Sequence, residues 1–99
     1  MRCNATCYAG VVREIRWTEE SEDHIARHNV TPDEVEQVVN TRPRLVVAGV
    51  EEVEYVFGTT GAGRYLLVVL VEAVDGLDFV VTARAMTNSE RQAFRRKGR

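Results

Sequence analysis

The 99-residue chain has only two cysteines, two prolines, one tryptophan and a single lysine against twelve arginines. Two cysteines cannot supply the disulfide framework on which many small secreted domains depend, so the fold must rest on an apolar core. The pair, Cys3 and Cys7, would close only a tiny loop, and we interpret both as free thiols. The excess of arginine over lysine has two alternative explanations. Arginine is suited to phosphate binding, or the composition of the genome favours its codons.

The chain also lacks any long hydrophobic run. Its longest apolar stretch, YLLVVLV, ends at Glu72 and falls well short of the roughly 18 residues that a membrane span requires. The N-terminal MRCNATCYAG has no charged region followed by an apolar one, which predicts no secretory signal and a cytoplasmic location. We expect residues 1–10 to form a flexible leader and residues 11–99 a single α+β domain.

The net charge is small, but the charged residues are unevenly distributed along the chain. The formal net charge is −2, and eleven acidic residues precede residue 55, whereas the segment from Arg91 to Arg99 has five basic residues and no acidic one. A basic C-terminal helix can attract an anionic partner. A solvated helix face is the alternative interpretation.

Capping signals predict three helices. Thr18 precedes two glutamates that favour the positive end of a helix dipole, and Asn29 can take the left-handed conformation that ends a helix. The run TPDE from Thr31 is a capping box with proline at the first helical position, and TNSE from Thr87 is another. The second helix has an apolar stripe that should pack on a sheet, formed by Val35, Val38 and Val39.

Four strands are predicted at 44–48, 52–57, 65–71 and 77–83, and VVREIRW is a candidate short edge strand. The Asp75-Gly76 turn signal favours an antiparallel hairpin of the last two strands, which we expect to be central. The element order predicts an α+β fold, in which two N-terminal helices and one C-terminal helix pack on a four-stranded antiparallel sheet. Strict alternation would place Leu77, Phe79, Val81 and Ala83 on one face of the last strand and Arg84 on the other.

Several side chains are candidates for chemistry. His24, Arg27 and His28 share one face of the first helix, a spacing compatible with proton transfer near a phosphate, with a zinc site or simply with a solvated face. No third ligand is evident, so no metal is predicted. Arg84 ends a strand and is a candidate phosphate ligand, with a structural pairing to a carboxylate as the alternative. The loop GTTGAGR joins two strands and lacks the context of a phosphate-binding loop.

From Trp17 to about Lys97 the chain resembles the BrnT family of toxin–antitoxin ribonucleases, whose fold is RelE-like. The matching segments are Trp17 itself, IARHNVTPDEVEQVV, GTTGAGRYLLVV, VVTARAMT and SERQAFRRK. The resemblance implies a metal-independent and cofactor-independent endoribonuclease that cleaves RNA through attack by the ribose 2′-hydroxyl. It implies catalytic roles for His28, Glu52, Arg64 and Arg84, and a contact of Arg27 with the RNA backbone. The basic C-terminal helix adds Arg91 and Arg95 as RNA-binding residues, and stacking on a splayed base adds Trp17.

Two positions depart from the family pattern. Val53 stands where family members have an arginine after the glutamate, and Asn29 replaces the glycine that ends the first helix. Loss of a guanidinium that stabilises developing charge commonly slows an enzyme about a hundredfold or more. The alternative to a ribonuclease is therefore a catalytically silent interaction module of the same fold, which binds an antitoxin or forms a homodimer. The expected partners are a DNA-binding, BrnA-like antitoxin and an RNA substrate, with no membrane.

Overall fold

The computed structural model describes residues 13–72 and 76–98, so the predicted leader, with Cys3 and Cys7, lies outside the described residues. Within this part of the chain the helices and strands follow the predicted order, and the α+β prediction is confirmed. The helices are α1 (Glu19–Ala26), α2 (Pro32–Asn40) and α3 (Asn88–Lys97), and the strands are β1 (Arg44–Ala48), β2 (Val53–Thr59), β3 (Tyr65–Glu72) and β4 (Asp78–Ala85). None of the described helices is long and apolar enough to cross a membrane.

Each helix begins at a threonine that forms a capping box. The Thr18 hydroxyl accepts the backbone N–H of Ser21, while in α2 and α3 the third helical residue is a glutamate whose carboxylate accepts the backbone N–H of the capping threonine. These pairs satisfy donors that the first helical turn leaves without partners. The local sequence therefore fixes where the three helices begin. Asn29 has φ 60°, in agreement with its predicted role after α1.

The sheet is antiparallel with the order β1-β2-β3-β4. The strand β3 is central, as its apolar sequence predicts, and it pairs along its length with β2 and β4. The prediction that β4 is also central is wrong, because β4 is the last strand of this sheet. Among residues 13–72 and 76–98, only Ile15 extends the sheet beyond it, through an isolated parallel bridge to Asp78 where the sequence suggested an edge strand.

The alternation predicted for β4 is interrupted by a β-bulge. Val69 pairs with Thr82 but Leu70 pairs with Val80, so Val81 has no partner on β3. After an extra residue in one strand, each side chain points to the face of the sheet opposite to the one that uninterrupted alternation predicts. The buried residues of β4 are accordingly Asp78 and Val80 before the bulge and Ala83 after it, not the uninterrupted alternating set.

The helices cover both faces of the sheet. The valines of α2 and Ile25 of α1 are buried against Val56, Leu66 and Val68, which share one face, here called the α1/α2 face. The predicted packing of α2 through Val35, Val38 and Val39 is therefore confirmed. The helix α3 lies on the opposite face, here called the α3 face, where the ring of Phe94 meets Tyr65 edge-on with a centroid distance of 5.9 Å.

An ion network fastens the segment before α1 to the sheet. The Arg13 guanidinium donates to the Asp78 carboxylate at 3.0 Å and also binds the Glu54 carboxylate. Asp78 is only 5% exposed, and its charge therefore depends on Arg13 for compensation. The backbone N–H of Arg13 donates to the side chain of Asn40, so the same residue ties this segment to the end of α2.

Candidate functional site

Arg64 is fixed on the α1/α2 face. It precedes β3, and one terminal nitrogen of its guanidinium lies 2.8 Å from both carboxylate oxygens of Glu34 and 2.8 Å from the Asn29 carbonyl. Glu34 is also the capping-box residue of α2. Burial opposes ionisation of Glu34, but hydrogen bonds from Thr31 and Arg64 outweigh it and lower the pKa of the carboxyl. Arg64 thus joins the loop after α1 to the start of α2.

Arg84 is fixed in the same way on the α3 face. Its guanidinium donates through both terminal nitrogens to the two carboxylate oxygens of Glu90, at 2.9 Å each. Glu90 also accepts the backbone N–H of Thr87 in the capping box of α3. The hydrogen bond from Arg84 is the main cause that lowers the pKa of Glu90. This agrees with the structural alternative foreseen for Arg84, in which the arginine pairs with a carboxylate.

Because Arg64 and Arg84 each lie at an end of one of two adjacent antiparallel strands, the sequence predicts that they converge on one exposed concavity, and this prediction is wrong. Arg84 pairs with Leu67 on β3, three residues from Arg64, and an odd separation along a strand places side chains on opposite faces. Their partners confirm this separation, because Glu34 belongs to α2 and Glu90 to α3. The two arginines cannot clamp one phosphate while they hold these positions.

The other two predicted catalytic residues lie elsewhere. His28 is exposed just beyond the end of α1, and its ring is stacked obliquely on His24 with a centroid distance of 5.9 Å. Glu52 lies in the turn between β1 and β2, with φ 65°, at the end of the sheet opposite to Arg64. It lines a cavity of about 320 Å³ together with Arg13 and Glu72. The four predicted catalytic residues therefore do not form one site.

Two of the predicted RNA-binding residues do come together. Arg91 and Arg95 are one turn apart on α3, and their guanidinium carbons lie 4.4 Å and 5.4 Å from the ring centroid of Tyr65. Neither makes an ion pair with a carboxylate among the described residues. We call Tyr65, Arg91 and Arg95 the arginine–tyrosine cluster. Cation–π contact with a ring holds both guanidiniums in place, and the donors that do not face the Tyr65 hydroxyl stay available.

The cluster alters the acidity of its tyrosine. Hydrogen bonding by Arg95 is the largest cause and, with the positive charges of Arg95 and Arg91, lowers the pKa of the Tyr65 phenol. Nearby cations favour the phenolate, which is the form that can accept a proton. The sequence analysis gave no catalytic role to Tyr65. The sequence shows that Tyr65 begins the central strand. The two arginines lie over its ring because α3 packs on this face of the sheet, and that packing is not evident from the local sequence.

The remaining predicted RNA-binding residues are not part of this cluster. Trp17 packs against the core on the α1/α2 face, and its indole N–H donates to Glu36 at 2.8 Å. Arg27 caps α1 through its backbone and is exposed.

Across residues 13–72 and 76–98, no group of three or more histidine, cysteine or acidic side chains could hold a metal ion. Comparison with known proteins adds no identity, since no family, curated protein or solved structure matches the chain.

Proposed function

We propose that the chain is the toxin component of a toxin–antitoxin pair, a metal-independent endoribonuclease that binds RNA through the arginine–tyrosine cluster. The observation that carries this proposal is the pair of guanidiniums held over Tyr65 without a carboxylate partner among the described residues. Guanidiniums bind phosphate oxygens bidentately, and an already ordered side chain loses less entropy when it binds. The basic last turn of α3, with Arg96 and Lys97, adds attraction for a polyanion.

The same cluster has a base and two cations that serve cleavage through the 2′-hydroxyl. A tyrosine whose pKa is lowered can accept the proton of the ribose 2′-hydroxyl as a general base. The 2′-oxygen then bonds to phosphorus, the bond from phosphorus to the 5′-oxygen breaks, and the leaving 5′-oxygen takes a proton from water. Arg91 and Arg95 would stabilise the charge that develops on the phosphorus-bound oxygens. In this proposal Arg84 is a positioning residue, because its pairing with Glu90 fixes the first turn of the helix that carries both arginines.

A second function, the silent interaction module, is favoured by a different observation. The two arginines expected to be catalytic are each neutralised by a capping glutamate, on opposite faces of the sheet. Val53 also lacks the charge of the family arginine. In this alternative the basic surface of α3 binds an acidic segment of an antitoxin and no RNA is cut. For either function, the DNA-binding antitoxin is a proposal that rests on the resemblance.

The first test is RNA binding. Replacing Arg91 and Arg95 together by alanine should weaken binding of a fluorescently labelled single-stranded RNA by about tenfold or more, because two charge-assisted contacts are lost. The salt dependence should also fall, by about 0.7 in the slope of log K against log salt for each phosphate contact removed. Fluorescence anisotropy over a range of salt concentrations measures both quantities.

The matched control removes the same charge from the other face. Arg27→Ala combined with Arg64→Ala should leave the affinity and the salt slope close to those of the wild type. If this control loses affinity while the α3 variant keeps it, the RNA lies on the α1/α2 face and our proposal is wrong. Incubation of the wild type with RNA and a chelator separates the two functions, because RNA that stays intact supports the silent module.

A further inference from the structure

The two edges of the sheet are protected very differently. At the β4 edge, α1 packs along the strand, Ile15 bridges Asp78, and the bulge at Val81 interrupts the regular ladder. At the β1 edge, no described residue pairs with the outer side of the strand. Natural proteins usually blunt such an edge with charges, proline, a bulge or a covering element. The strand β1, with the sequence RLVVA, has no charge, proline or bulge between Leu45 and Ala48, and α3 contacts it on one face of the sheet without pairing with its edge.

The free edge is apolar and its backbone groups point outward. Val46 and Val47 are 43% and 42% exposed, one on each face of the sheet. The backbone N–H of Gly49 donates to the Val53 carbonyl at 2.7 Å, so the backbone hydrogen-bonding groups of Gly49 face β2. Because this direction alternates along an antiparallel strand, the N–H and C=O groups of Arg44, Val46 and Ala48 point away from the sheet.

We infer that this edge pairs with the same edge of a second copy of the chain, antiparallel and about a two-fold axis at Val46. Val46 then exchanges both backbone hydrogen bonds with its own copy, and Arg44 does so with Ala48 of the other chain. On the opposite face Leu45 of one copy lies across from Val47 of the other. Every cross-strand pair is thus either apolar or places Arg44 beside an alanine, so no like charges meet.

Charges beyond the strand favour the same arrangement. Arg42 and Arg44 lie at the beginning of β1, whereas Glu51 and Glu52 follow its end, and none of the four forms an ion pair with a described residue. Antiparallel pairing brings the basic end of each strand beside the acidic turn of the other copy. A parallel arrangement would place like charges together. The complementarity therefore selects a second copy in the antiparallel register.

The test is the solution mass of the full chain by sedimentation equilibrium. A short strand pair is a small interface, so we expect the mass to rise from that of one 11.2 kDa chain toward twice that value as the concentration increases from about 1 µM to about 500 µM. Val46→Lys places two lysines opposite each other at the axis and should leave a monomer at every concentration. The control is Val81→Lys, which changes a valine of 47% exposure on the protected edge and should dimerise like the wild type.

A second variant guards against a folding defect. Val46→Pro removes an N–H that points away from β2, so the hydrogen bonds between β1 and β2 remain while the outer pairing is lost. Circular dichroism should show the wild-type fold for both Val46 variants. A monomeric wild type throughout the concentration range would overturn the inference. A dimer that persists in both folded Val46 variants would also overturn it, because another surface would then form the interface.

Discussion

Tyr65→Phe should slow RNA cleavage by about a hundredfold or more, because a general base typically contributes that much to the rate. Binding should change little, since Arg91 and Arg95 still have an aromatic ring beneath them and keep their contacts with phosphate. The turnover number should therefore fall while KM stays close to that of the wild type. Single-turnover cleavage at saturating enzyme, in the presence of a chelator, measures the effect on the chemical step.

The pH dependence distinguishes proton transfer from a purely structural role of Tyr65. A base is active when deprotonated, so the rate should rise with pH and level off above the pKa of the phenol. That pKa is lowered by Arg95 and Arg91, which places the rise below the ordinary tyrosine value near 10. Arg95→Gln should move the rise to higher pH. Cleavage by Tyr65→Phe at the wild-type rate, with the wild-type pH profile, would exclude the tyrosine as the base.

Arg13→Ala should have the largest effect on stability, a loss of about 3 kcal/mol in the free energy of unfolding. The substitution leaves the carboxylate of Asp78, which is 5% exposed, without its guanidinium partner. A buried charge without compensation is costly, whereas a pair open to water contributes little. Urea unfolding at neutral pH, followed by circular dichroism, measures the difference.

Two further variants show whether the cost arises at Asp78. Arg64→Ala removes an arginine whose side chain is more exposed, and it should lose no more than about 1 kcal/mol. Combining Arg13→Ala with Asp78→Asn should cost clearly less than the sum of the single changes, since the second change removes the unpaired charge. If the two losses simply add, the Arg13 and Asp78 side chains are not coupled, and the network does not hold the segment before α1.

The helices could be predicted from the sequence because their signals are local. Each capping box lies within four consecutive residues, and the threonines at 18, 31 and 87 begin helices as expected. The apolar sequence of β3 likewise predicts its central position, because a strand covered on both faces has no polar alternation. The end of α2 at Asn40 also follows from nearby sequence, since a proline lies three residues further on.

The errors concern features that depend on pairing between strands. The bulge at Val81 has no signature in the sequence of β4, yet it exchanges the faces of the strand and leaves Val81 exposed. The hairpin brings the strand ends that carry Arg64 and Arg84 close together, which predicts from the sequence that the two side chains meet. Proximity of strand ends does not determine the face, and the register that pairs Leu67 with Arg84 separates the two guanidiniums.

The arginine–tyrosine cluster was predictable only in part. The spacing of Arg91 and Arg95 places them on one face of a basic helix, and the sequence analysis assigned both to RNA binding. Their position over Tyr65 depends on how α3 returns across the sheet, where Phe94 packs edge-on against the same ring. That return is a tertiary contact between residues nearly thirty positions apart, and no local pattern encodes it.

The most direct test of the central claim is an NMR titration with a single-stranded RNA that carries 2′-O-methyl groups and so cannot be cleaved. Our account predicts that the side-chain Nε–Hε signals of Arg91 and Arg95 and the ring signals of Tyr65 shift together, in a saturable manner. The corresponding signals of Arg27 and Arg64, on the other face, should stay in place. Shifts confined to Arg64 and His28, or no saturable shift at the arginine–tyrosine cluster, would contradict the account.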